Sequence, residues 1–168
     1  MLLWILIGGR VMNLARERHR DYLLATVQSL AIPEERFRTI DESTATPILE
    51  SIRPAFGNAA PWWREPQRDL PRWGRRLPES LSFRLITQVV PDALETVWFL
   101  AIEYGEQPLL FESTPEVTER LLSETHLFEY AVVSKGLDWL LGEEHHSVFV
   151  GIGQSVVERL CAVKIEHN

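Results

Sequence analysis

The run from Phe128 to Gly153, FEYAVVSKGLDWLLGEEHHSVFVGIG, constrains the chain more than any other stretch. Its apolar segments are too short for helices and are separated by turn residues, so it has to fold as strands connected by tight turns. Phe128 to Ser134 reads as one strand, and Val148, Phe149, Val150 and Ile152 repeat the pattern. Gly151 and Gly153 then permit a sharp exit or close backbone packing. Lys135-Gly136 reads as a turn. Leu137, Trp139, Leu140 and Leu141 are too apolar for a free loop and are expected to pack back as a third short strand or a helical turn. Glu143, Glu144, His145 and His146 follow as a short acidic turn, the most unusual polar cluster in the chain.

Before this stretch the patterns mix helix and strand. Asn13 can cap a helix to about Leu30, with Leu23, Leu24, Val27, Leu30 and Ala31 as its apolar stripe. A second helix is expected to start at Thr46-Pro47 and to stop at Pro54 and Gly57. Ser82 to Val90 alternates in the manner of a strand. Val97 to Ile102 is a near-continuous apolar run, as in a central strand. Pro108 to Glu112 completes a hairpin with it. Thr114-Pro115 opens a helix with Val117, Leu121 and Leu122 inward, and Ser155 with Glu158 forms a capping box for a last helix from Val156 to about Ile165. The fold class is therefore α+β: a mostly antiparallel sheet of about four to six strands, covered by N-terminal, middle and C-terminal helices.

A length of 168 residues with 45% hydrophobic content is enough for one domain with a sizeable core. Met1 to Ile7 is apolar but far short of a bilayer span, and no small-residue cleavage site follows it. Gly8-Gly9 can be encoded by a ribosome-binding sequence placed just before Met12. Residues 1–11 are therefore expected to be a non-native extension, and 12–168 a single α+β domain. The single cysteine, Cys161, excludes an internal disulfide, fits a cytoplasmic setting and reads as a buried thiol among apolar neighbours.

Charge divides the chain. Residues 1–84 hold 13 Lys and Arg against 10 Asp and Glu, a net of +3, whereas residues 85–168 hold 4 against 14, a net of −10. The C-terminal half should repel nucleic acid and attract a basic protein partner. Pro61 to Arg76, with three Trp, three Pro and five Arg, could stack single-stranded nucleic acid. Its acidic residues and prolines instead favour a strap of Trp rings laid over a sheet with Arg stems across them.

The residues Phe128-Glu129-Tyr130, Val133-Ser134-Lys135, Asp138-Trp139-Leu140, Glu144-His145-His146 and Gly151-Ile152-Gly153 resemble the C-terminal signature of a bacterial family of unknown function. Val97-Trp98-Phe99-Leu100 and Leu110-Phe111-Glu112 fit the same pattern. Where that signature has Glu-Asn-His-His, this chain has Glu143-Glu144-His145-His146. The resemblance implies no activity. In architecture alone the chain is also similar to the Smi1/Knr4-type immunity and scaffold superfamily.

Two functional expectations follow. The first is a cytoplasmic binding protein, of immunity type or a scaffold module, that sets an acidic face against a basic partner. Glu129, Asp138, Glu143, Glu144 and His146 would supply the face and Trp139 an anchor. The second is a small metal- or ligand-binding domain or enzyme centred on Glu143, Glu144, His145 and His146. His145 and His146 would point to opposite faces of a strand, while Glu143 and His145 would share one and could supply mixed N and O ligands. No signature of fixed ligand spacing supports this, and histidines bonded to carboxylates in a turn account for the cluster equally well. Gly151-Ile152-Gly153 lacks the third glycine of a dinucleotide loop, since position 156 is Val. Neither a nucleophile elbow nor a phosphate loop occurs, so no cofactor is expected.

Overall fold

The computed structural model describes residues 4–7, 10–57, 69–77, 82–102, 107–125, 128–144 and 146–163. Seven strands form one fully antiparallel sheet in the order β3-β6-β5-β7-β8-β9-β4. They are β3 (Arg38–Thr39), β4 (Arg72–Arg76), β5 (Val97–Ile102), β6 (Leu109–Ser113), β7 (Glu129–Ser134), β8 (Leu140–Glu144) and β9 (Val148–Ile152). The count exceeds the expected range by one, because the two edges, β3 and β4, come from polar segments without a strand pattern. A separate two-stranded sheet joins β1 (Trp4–Ile7) to β2 (Arg10–Asn13).

Both faces of the large sheet are covered, which explains the near-continuous apolar runs of its inner strands. One face carries Phe99, Phe111, Tyr130, Val132, Leu141 and Phe149. It packs under α1 (Leu14–Ser29), α3 (Ile86–Val89), α4 (Pro115–Ser123) and α5 (Gln154–Ala162). The other carries Leu100, Leu110, Ala131, Val133, Leu140, Val150 and Ile152 under α2 (Glu42–Phe56). At 15 residues α2 is about 22 Å long, and it brings Ala45, Leu49, Ile52, Ala55 and Phe56 into the core on this face.

Several local expectations are corrected. Ser82 to Val90 is a 3₁₀ turn (Phe83–Leu85) running into α3 and not a strand. Ile86 and Val89 are three apart and both fully buried, and this spacing suits a helix on the sheet better than alternation suits an added strand. Helix α2 begins five residues before Pro47, because Asp41 caps it by accepting the Thr44 N–H at 3.0 Å. It also continues past Pro54, whose missing N–H falls in its last turn, to Gly57. Helix α5 starts at Gln154, one residue ahead of the supposed cap Ser155, and Gly153 occupies the cap position without a side-chain bond. Within the α1 stripe Leu23 and Val27 are buried, whereas Leu24 and Ala31 are exposed. Cys161 is exposed and not buried, since α5 turns Val156 and Leu160 to the sheet.

Two glycines set how closely α5 approaches. A Cβ on Gly151 would collide with the Leu160 side chain and lie 2.9 Å from Val156 Cγ1. Gly153 adopts a φ of 103°, and a Cβ there would collide with the Asp138 carbonyl and lie 2.9 Å from Trp139 Cα.

Candidate functional site

The acidic residues singled out from the sequence are distributed over three places. Glu143 and Glu144 are not in a turn; they are the last two residues of β8 and so point to opposite faces. Both are buried, at 5% and 8% exposure. Glu129 opens β7, half-buried and opposite Ile102, on the α2 side. His146 is exposed in the β8–β9 turn, which closes through Ser147 N–H donating to the Glu144 carbonyl at 2.8 Å. Each of these four has a partner within the chain. His145 lies outside the described residues. Asp138 and Trp139 sit at the other end of β8 from Glu144. Trp139 is 3% exposed and belongs to the core, so it is not a surface anchor.

Glu143 enters a buried polar set on the helix-covered face. The Ser82 hydroxyl donates to Glu143 Oε2 at 2.5 Å, and Ser82 is fully buried. Register places Glu143 directly across from Tyr130. Burial, then the Glu143 charge, raises the Tyr130 phenol well above its ordinary pKa, and the Ser82 hydroxyl acts in the opposite direction. Ser82 and Glu143 are near enough to bias the phenol's ionisation, yet no well-formed hydrogen bond reaches the Tyr130 oxygen among the described residues. The next carboxylate along, Glu119 on α4, accepts from Thr87 N–H at 2.9 Å and from the Thr87 hydroxyl at 2.7 Å, which fixes α3 to α4.

The other end of β8 forms an exposed acidic patch. In the β7–β8 turn the Ser134 hydroxyl accepts from the Asp138 and Trp139 N–H groups at 2.8 and 3.2 Å, and Leu137 takes a φ of 57°. This delivers Asp138 to the surface beside the loop that precedes β5. There the Asp92 carboxylate accepts the Leu94 N–H at 2.8 Å, and the Trp139 indole N–H donates to Glu95. Oxygen Oε1 of Glu95 has no partner among the described residues. Burial raises the Glu95 pKa, with Asp92 and Asp138 adding to the shift and the Trp139 bond opposing it. Leu94, between Asp92 and Glu95 in sequence, is 66% exposed. Sequence reasoning found Asp138 but missed Asp92, Leu94 and Glu95. By sequence alone Pro91-Asp92 reads only as a turn, and nothing local links residue 95 to residue 138.

Among the described residues no group of three or more His, Cys, Asp or Glu is arranged to hold a metal ion. Nor is any helix among them long and apolar enough to cross a membrane.

A family model matches residues 16–164, nearly the whole chain. The chain belongs to DUF6756, a family of unknown function. The resemblance read from residues 97–153 thus extends through the N-terminal helices as well. For DUF6756 the matched span takes in both the buried Ser82–Glu143–Tyr130 set and the exposed patch around Leu94. No curated protein and no solved structure matches the chain.

Proposed function

We propose that this member of DUF6756 is a binding module, of immunity type or a scaffold, that receives a basic segment of a partner protein. The observation behind this reading is the patch at the Asp138 end of β8. Asp92 and Asp138 both lie close enough to Glu95 to add to the rise in its pKa that burial causes, and Leu94, in the same loop as Asp92 and Glu95, is 66% exposed. Like charges so placed repel, and a lysine or arginine brought among them relieves the repulsion. Leu94, exposed in the same loop, supplies an apolar contact beside these charges. The net charge of −10 over residues 85–168 would steer the approach.

Charge reversal tests the reading only at exposed positions. Asp92→Lys/Asp138→Lys should abolish retention of a basic partner in a pull-down from the host lysate and leave the melting temperature within a few degrees. Glu143→Lys and Glu144→Lys place a charge in the core, so they report on folding instead. Unchanged retention by the Asp92/Asp138 variant would reject this surface.

A second reading, a small ligand- or metal-binding domain or enzyme centred on Glu143, Glu144, His145 and His146, is supported by the buried carboxylate, hydroxyl and phenol of Glu143, Ser82 and Tyr130. A chelator-dependent fall in melting temperature would favour it over the first.

A further inference from the structure

Strand β4 is an edge of the sheet, and among the described residues nothing pairs along its outer side. Which backbone groups it presents follows from its bonds to β9. Gly153 N–H donates to the Pro71 carbonyl at 2.9 Å, and Leu77 N–H donates to the Ser147 carbonyl at 3.0 Å. With Arg72 opposite Ile152 and Arg76 opposite Val148, the odd-numbered residues of the strand face β9. The N–H and C=O groups of Arg72, Gly74 and Arg76 therefore point away from the sheet. The far edge, β3, is only two residues long and offers no comparable template.

The side chains give this edge a character. Arg72, Arg75 and Arg76 are exposed, three positive charges in five residues. Arg72 and Arg75 also have contacts within the chain, and each guanidinium carries five donors to share between those contacts and a ligand. Gly74, at the centre, is not demanded by any described residue. It needs no positive φ, and among the described residues an added Cβ would meet only Val150 Cγ2 at 3.7 Å and the Phe149 carbonyl at 4.0 Å. Elsewhere the sheet does require its glycines: a Cβ on Gly142 would lie 2.8 Å from the Tyr130 carbonyl. A strand glycine without an internal cause marks a place where another backbone or a large opposing side chain comes close.

We infer that β4 is a docking edge for an extended acidic peptide, which adds to the sheet as an eighth strand. The peptide carries Asp or Glu at the two positions facing Arg72 and Arg76 and a large apolar or aromatic residue facing Gly74. Guarding a sheet edge against aggregation would use the same charges but would not call for the glycine. Pairing with a second copy through this strand, centred on Gly74, would set Arg72 opposite Arg76 twice, and like charges across a ladder repel. The arginines thus reject self-pairing and select the acidic strand. This surface is separate from the Leu94 patch, and its partner has the opposite charge.

The test is amide hydrogen exchange, read by NMR on the full chain, with the end-blocked peptide Glu-Thr-Phe-Thr-Glu and its control Lys-Thr-Phe-Thr-Lys. The acidic peptide should slow exchange at Arg72, Gly74 and Arg76 about tenfold or more, leave Trp73 and Arg75 unchanged, and lose the effect in Arg72→Glu/Arg76→Glu. Gly74→Pro removes one outward N–H that β9 does not use, so the variant should fold and bind at least tenfold more weakly. No slowing at the three amides under saturating acidic peptide, or equal slowing by the lysine peptide, overturns the proposal. Were either variant to misfold by circular dichroism, the wild-type exchange pattern decides alone.

Discussion

At the scale of single residues, the buried hydroxyls on the helix-covered face make a contrast that stability measurements can read. Ser82→Ala takes a donor away from the buried Glu143 carboxylate and should cost about 1.5–3 kcal/mol, the range for hydrogen bonds to charged groups. Tyr130→Phe removes an oxygen that is buried without a well-formed bond among the described residues, so it should be neutral or stabilising by up to about 1 kcal/mol. Urea midpoints of the two variants check this, and a Tyr130→Phe loss as large as that of Ser82→Ala would mean the phenol is fully bonded. Little of this set was legible beforehand. Ser82 and Glu143 are 61 residues apart, and Tyr130 in an apolar run reads as core and nothing more. Cys161 was misplaced for a related reason: composition ranks a residue's tendency to be buried, whereas the rotation of one helix decides the outcome.

At the scale of elements, α2 depends on its cap. Asp41 accepts the hydroxyls of Ser43 and Thr44 and the Thr44 N–H, and its pKa falls from 3.8 to about 2, with the Ser43 bond the largest cause. A folded pKa below the unfolded one contributes stability that is present above pH 3.8 and is lost as the pH falls toward 2. The melting temperature of Asp41→Ala should therefore lie below wild type at pH 7, with the gap closing between pH 4 and 2. A gap that persists at pH 2 would mean the side chain acts without its charge. Long, periodic elements were readable: β5, β7, β9, α1 and α4 lie where the apolar pattern and the Thr114-Pro115 cap placed them. Short ones were not. Ser82 to Val90 satisfies an alternating and a three-residue spacing at once, and only the presence of a sheet face beneath it selects the helix.

At the scale of the whole molecule, the sheet order sets a gradient of protection. Strands β5, β7 and β8 are flanked on both sides and covered on both faces, so their amides should exchange at or near the global unfolding rate, slower than those of β3, β4 and the separate β1–β2 sheet. Exchange read by mass spectrometry checks this, and faster exchange in β7 than in β4 would contradict the topology. Taken alone, the sequence determined the α+β class, the antiparallel run from Val97 to Gly153, the family and the charge imbalance between the halves, because these rest on local periodicity, turn chemistry and composition. The tertiary structure alone decided that the polar segment Arg72–Arg76 closes one edge, that α2 packs on one face, that Glu143 and Glu144 lie buried on opposite sides of the sheet, and that Asp92 and Asp138 both approach Glu95. Each of these depends on which strand lies beside which. Pairing partners far apart in sequence are chosen by packing of the assembled sheet, and a one-residue shift in register would exchange every inward side chain for an outward one.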